Sequence, residues 1–127
     1  TLEGSRGGEP SSITINLALT MMNDTMIEII EPVSGDVEVY TETLPGSLDE
    51  GVSFHHVGVL FEDHENLWPS LEESLSKHGH TLEFAGTFPD TANFAYLDLS
   101  QTLGHVIEIV EFLPGGQAFL EGIPRSL

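Results

Sequence analysis

Three residues carry cation-binding side chains in settings that tolerate charge poorly. Glu28 lies in Met26-Ile27-Glu28-Ile29-Ile30, His56 in Phe54-His55-His56-Val57-Gly58, and Glu108 in Val106-Ile107-Glu108-Ile109-Val110. If each stretch is a strand, alternate side chains point to opposite faces. His56 then shares a face with Phe54, Gly58 and Leu60, while His55, Val57, Val59 and Phe61 take the other. Glu28 falls with Met26 and Ile30, and Glu108 with Val106 and Val110. A carboxylate among apolar neighbours is costly unless it is paired or bound to a cation. One imidazole and two carboxylates form a donor set suited to Fe(II), Mn(II), Ni(II), Co(II) or Zn(II). From the residues alone a second reading stands beside this one: each glutamate also fits a solvent-facing strand position, and His56 a hydrogen-bonded structural histidine.

The elements that would position these side chains follow from pattern. Residues 12–20, SITINLALT, are rich in β-branched and apolar types and read as a strand. Asn23-Asp24 supplies a turn, and residues 25–31 return as a second strand that Pro32 is expected to end. Residues 32–53 read as a connector, with a short helical piece over 37–43. Residues 54–61, FHHVGVLF, form the clearest strand. A polar loop over 62–66 leads into a helix over 67–78, where Leu67, Trp68, Leu71 and Leu75 make one apolar stripe. Pro69 suits a helix start and Gly79 a helix stop. Val57, Val59 and Phe61 are expected under that helix, which turns His56 away from it. Three further strands are expected at 80–87, 93–99 and 105–112, split by Pro89-Asp90 and by residues 101–104. Residues 113–127 read as a tail.

Two stretches echo each other: DTMIEIIEPV from Asp24 and GHVIEIVEFL from Gly104 share the core IEI(I/V)E, and each closes a run of strands. That placement is expected of a tandem of two similar modules. The second, over 54–112, has the order strand, helix, strand, strand, strand. The first keeps only its last two strands, over 12–31, so its opening strand and helix are expected before Thr1 or from another chain.

The histidine-bearing run from Phe54 to Gly58, the later Phe94-Ala95-Tyr96-Leu97-Asp98 and the Leu103-Gly104-His105-Val106-Ile107-Glu108 run together resemble the second module of the vicinal oxygen chelate superfamily, which includes glyoxalases, extradiol dioxygenases and bleomycin resistance proteins. Met26 to Pro32 resembles the closing strand of a first module. The resemblance covers residues 13–112. It implies one α+β domain over 1–127, with paired βαβββ modules forming a U-shaped mixed sheet around a central cavity, the first module partial. It implies His56, Glu28 and Glu108 as metal ligands, with a fourth ligand from upstream of Thr1. Glu108, then Glu28, would serve as base, and Tyr96 would line the substrate pocket. The implied function is that of a divalent-metal-dependent lyase, isomerase or epimerase, or dioxygenase, acting on a small oxygen-chelating substrate. The alternative within the same superfamily is a metal-free protein that sequesters a small molecule. By strand parity His55 and His105 lie opposite the ligands, as supporting or structural residues, and His64, His78 and His80 read as solvated.

Composition narrows the field. The formal net charge is −18, against a magnitude of about 2–8 for a typical small domain. Nucleic acid and anionic membranes are poor partners for such a surface. Only Arg6, Lys77 and Arg125 could clamp an anionic group, which disfavours coenzyme A esters and glutathione adducts. The absence of cysteine excludes disulfides and thiolate sites and fits a cytoplasmic protein. No GxSxG, Walker or dinucleotide-glycine pattern is present. A homodimer is expected, since a partial first module leaves a sheet edge open.

Overall fold

Alternating apolar and polar residues dominate the chain, and most of them are built into one sheet. The computed structural model describes residues 1–42, 51–62 and 67–126, with only the backbone for Glu62 and Leu67. In chain order the elements are β1 (Leu2–Arg6), β2 (Glu9–Met22), β3 (Thr25–Gly35), α1 (Glu38–Thr41), β4 (His56–Glu62), α2 (Leu67–Lys77), β5 (Phe84–Phe88), β6 (Ala92–Asp98), α3 (Ser100–Leu103), β7 (Val106–Phe112), α4 (Gly116–Gly122) and β8 (Arg125–Ser126). The fold is mixed α+β and strand-rich, a curled open sheet shaped as a half-barrel. Strand order is β3-β2-β1-β5-β6-β7-β4, with β8 added beside β2. Neighbours on this path are antiparallel, except that β4 runs parallel to β7. A parallel pair needs a crossover, and the chain from β4 to β7 runs through α2, β5 and β6.

The core lines the inside of the curl. Ile13 from β2, Phe84 from β5 and Phe94 from β6 are its most enclosed large side chains, joined by Leu2, Val39, Tyr40, Tyr96, Val106 and Val110. The rings of Phe84, Phe88 and Tyr96 each pack against Phe94, with centroids 5.5–5.8 Å apart. Such tilted and edge-on pairs add attraction beyond the area they bury. On β6 and β7 the opposite face is buried as well, through Ala95, Leu97 and Ile109.

Four sequence expectations are corrected. Pro32 does not end β3, which continues to Gly35. Pro32 faces Ile15 where the β2–β3 register slips between Thr14 and Ile15, and β3 ends the strand order. A bulge on an edge strand is where a residue without an N–H does least harm. The strand stops instead at Gly35, whose positive φ and close approach to the Ser12 carbonyl leave no room for a side chain. Second, the strand expected from residue 80 starts at Phe84. Gly79 takes φ +76°, and the Gly79 and His80 amides cap the Ser76 and Leu75 carbonyls, so the following residues complete the helix exit.

Third, the tail is structured. It forms α4 and then β8, which pairs parallel with Met21 and Met22. A seven-residue helix and a two-residue strand are too short to show a period. The first segment likewise begins earlier than expected, since Leu2–Arg6 forms β1 and β2 opens at Glu9. Fourth, Val57 and Val59 remain 43% and 41% exposed, so they are not sealed beneath α2. The stripe on α2 is real, for Trp68, Leu71 and Leu75 are half-buried while the other described positions are exposed. The expected helical piece over 37–43 appears as α1, with residue 43 outside the described residues. The strand expected from residue 54 begins at His56, and residues 63–66 of the polar loop lie outside the described residues.

Candidate metal centre

Three strands meet inside the curl to form the site. Register places Glu108 of β7 directly between Gly58 of β4 and Tyr96 of β6. Gly58 lies close beside it, since a Cβ there would stand 3.4 Å from Glu108 Oε2. His56 lies two residues before Gly58 on the same face of β4, so its ring reaches toward that carboxylate. Glu28 approaches from β3, beside Leu19. His56 Nε2 lies 3.4 Å from Glu28 Oε2 and 3.5 Å from Glu108 Oε2. One donor atom from each residue falls within 4.8 Å of the other two, and among the described residues this is the group of histidines and acids so arranged. The residue types and spacing fit a divalent cation with nitrogen and oxygen ligands.

The electrostatics are those of a site built for positive charge. Burial works against a charged His56, but hydrogen bonding and charge from Glu108 and Glu28 outweigh it and raise the imidazole to about 9. Burial pushes the Glu108 carboxyl up, with His56 pulling it back and Glu28 adding to the rise. In the absence of metal the His56 imidazolium therefore offsets the paired carboxylates. A cation that takes its place must displace the Nε2 proton.

A polar shell surrounds the three. The Tyr96 hydroxyl hydrogen-bonds Glu108 and lies 3.1 Å from the Tyr40 hydroxyl. An ionised carboxylate only accepts, so Tyr96 donates to Glu108 and receives the Tyr40 proton in turn. Burial raises the Tyr40 phenol to about 12 and the Tyr96 phenol well above its usual value. Both remain protonated donors at neutral pH. His55 sits against His56, Tyr40 and Tyr96, with ring centroids 5.1–5.4 Å away. Its Nδ1 is 2.9 Å from His56 Nδ1, and its Nε2 is 2.7 Å from the Val39 carbonyl oxygen.

An open cleft of about 480 Å³, counting space open to solvent, adjoins the two glutamates, walled by Leu17, Leu19, Phe94, Val110, Phe112 and Phe119 among others. A second hollow of about 240 Å³ brings Tyr40 and Tyr96 to the same carboxylates. Among the described residues no lysine or arginine lines either space. The remaining histidines stand apart. His105 donates to the Val106 carbonyl and meets Phe54 edge-on, His78 and His80 are exposed, and His64 lies outside the described residues.

The sequence reading thus brought His56, Glu28 and Glu108 to one point, with Tyr96 beside them. It missed Tyr40 and the Val39 carbonyl. Both sit on a four-residue helix too short to carry a pattern, and a backbone carbonyl leaves no trace in residue identity. Comparison with known proteins finds no protein-family model that matches the chain and no curated protein that matches it. The curled mixed sheet with its His/Glu/Glu cluster is compatible with a vicinal oxygen chelate fold.

Proposed function

We propose that this protein is a divalent-metal-dependent enzyme of the glyoxalase and dioxygenase type, acting on a small oxygen-chelating substrate. The observation that carries the reading is the convergence of Glu28, His56 and Glu108 from three strands onto one point of the concave face. Strand order lends support. Read outward from the antiparallel β1–β5 junction, β1-β2-β3 on one side mirrors β5-β6-β7 on the other, and Glu28 and Glu108 occupy the third strand of each. This is the arrangement expected of paired modules.

When bound, the metal would supply Lewis acidity toward substrate oxygens. The chain's own residues do the rest. Glu108, whose carboxyl burial has raised, is the proposed base for a carbon-bound proton, with Glu28 as the second candidate. Tyr96, whose ring also packs against His56, holds the Glu108 carboxylate in place. The apolar wall excludes water from the reacting face. With no cation in that wall, the part of the substrate beyond its chelating oxygens is apolar and uncharged, and β3, as the end of the strand order, is the proposed homodimer contact.

Calorimetry with Fe(II), Mn(II), Ni(II), Co(II) and Zn(II) tests the centre. At least one should bind the wild type and lose affinity in His56→Ala. Turnover of a catechol, a hemithioacetal or a 2-substituted acyl thioester then assigns the reaction, and failure of all three refutes the enzyme. One further reading has an observation in its favour. Two carboxylates beside an apolar wall also suit metal-free sequestration of a small cationic molecule. Flat metal calorimetry with saturable binding of such a cation would select it. Light scattering that shows a monomer would remove the dimer contact.

A further inference from the structure

The hydrogen bonds around His55 contain a chain of forced choices. A carbonyl oxygen can only accept, so the 2.7 Å contact with the Val39 oxygen requires a proton on His55 Nε2. A neutral imidazole carries a single N–H, which leaves His55 Nδ1 bare. The 2.9 Å contact between the two Nδ1 atoms needs one proton, so that proton belongs to His56. His56 Nδ1–H therefore points at His55, and His56 Nε2 is the atom turned to Glu28 and Glu108.

The reverse assignment would make His55 an imidazolium. Its ring is packed against the rings of Tyr40, Tyr96 and His56, and among the described residues no carboxylate hydrogen-bonds it. Glu28 and Glu108, at 3.4 and 3.5 Å, both face His56 Nε2 and leave His56 Nδ1 to His55.

We propose that His55 is a positioning residue for the centre: anchored on the Val39 carbonyl, it accepts from His56 Nδ1 and so fixes the imidazole in the tautomer and rotation that present Nε2 to a cation. This rests on the metal-centre reading above. A ligating histidine commonly donates its other N–H to a carbonyl, carboxylate or water, which orients the ring and raises its basicity. Here another histidine fills that place, and it can do so only because α1 carries a backbone acceptor to its far nitrogen. The Tyr40 ring, on the same short helix, packs on His55. Residues 38–41 thus reach the centre through His55, and also through the Tyr40 hydroxyl to Tyr96.

Two measurements decide the matter. The first needs no metal: nitrogen-15 spectra of the wild-type protein at neutral pH should show scalar coupling between the two Nδ1 atoms, with the shared proton assigned to His56. No coupling, or a proton assigned to His55 Nδ1, overturns the proposal. The second uses zinc calorimetry on two variants. His55→Phe keeps a ring among the tyrosines but removes the acceptor, and its zinc affinity should fall about 10–100-fold. His55→Asn loses the ring but offers an amide oxygen to His56, and it should recover most of that loss. If Phe binds zinc as wild type does, or Asn binds more weakly than Phe, His55 is packing alone. Wild-type protein that shows the coupling yet takes no zinc would refute the metal centre and leave the hydrogen-bond chain standing.

Discussion

The two IEI(I/V)E stretches are near-copies in sequence and unlike in structure. In β7, Glu108 has a strand on each side, β6 and β4, and its side chain is 10% exposed. In β3, Glu28 has β2 on one side, ends the strand order, and is 19% exposed. The contrast is sharper one residue on. Ile109 is 7% exposed, and its counterpart Ile29 is 66% exposed. Identity of residues fixed which side chains share a face in both strands. Burial, and with it charge state and energetic weight, was set by what stands beside each strand. The site is therefore asymmetric: one enclosed carboxylate with a tyrosine donor, one more open, and an imidazole bridging them.

The largest expected effect comes from removing the bridge. His56→Ala leaves the Glu28 and Glu108 carboxylates facing each other without their cation. Breaking a buried ion pair from one side costs about 3–5 kcal/mol, and the partial openness of Glu28 places this case at about 3. Urea denaturation of metal-free protein at pH 7 should show the loss, and it should shrink in acid, where the Glu108 carboxyl, raised by burial, takes up its proton. A variant as stable as wild type at pH 7 would mean the two halves are not joined electrostatically.

Next is the test of the echo itself. Ile109→Ala should cost about 2–5 kcal/mol as a core truncation. Ile29→Ala, at the matching position of β3, should stay within about 0.5 kcal/mol. Denaturation midpoints of the two variants measure the comparison directly. Equal losses would show that the Ile29 face is covered in solution, as a β3-mediated dimer would require.

The pH dependence separates the partners. His56 is raised from an ordinary value of 6.5 to about 9. Its stabilisation of the metal-free fold is thus complete below about 6.5 and lost as pH rises through about 9, a change of up to about 3 kcal/mol at ~1.4 kcal/mol per unit. Glu108 is also raised, so burying it costs stability above its own titration, at lower pH. Metal-free protein should lose stability with rising pH in both windows. Bound zinc, having displaced the Nε2 proton, should abolish the upper one. An upper window that persists with zinc bound would place the metal elsewhere.

Much of this was legible in the residues, for reasons particular to them. Strand parity is a period of two, so reading residues 25–31, 54–61 and 105–112 as strands placed Glu28, His56 and Glu108 on common faces without knowledge of the curl. Gly79 stopped the helix where its positive φ requires a residue without Cβ. The errors came where a neighbour overrode local chemistry. Pro32 was absorbed because the register slipped beside it on an end strand, and Val57 and Val59 kept their apolar pattern without full cover. The short elements β1, α1, α4 and β8 carry too few residues for periodicity, and α1 holds the Val39 acceptor and Tyr40.

The smallest expected effect tests whether the enclosed half is already in its binding geometry. Gly58 has no counterpart beside Glu28, since β3 ends the strand order and Leu19 of β2 stands where Tyr96 stands beside Glu108. A methyl at position 58 would meet Glu108 Oε2 at 3.4 Å, which is ordinary contact rather than a clash. An alanine also restricts the unfolded chain, and glycine inside a strand costs about 0.5–1 kcal/mol relative to alanine. Gly58→Ala should therefore leave the metal-free protein equally stable or slightly more so, the methyl offsetting part of that gain by drying the carboxylate. If the carboxylate already sits where a cation needs it, zinc affinity should stay within about threefold, or some 0.6 kcal/mol. A loss well beyond that, with stability unchanged, would mean Glu108 must swing toward β4 on binding. The rigid, enclosed half of the site would then be the half that moves.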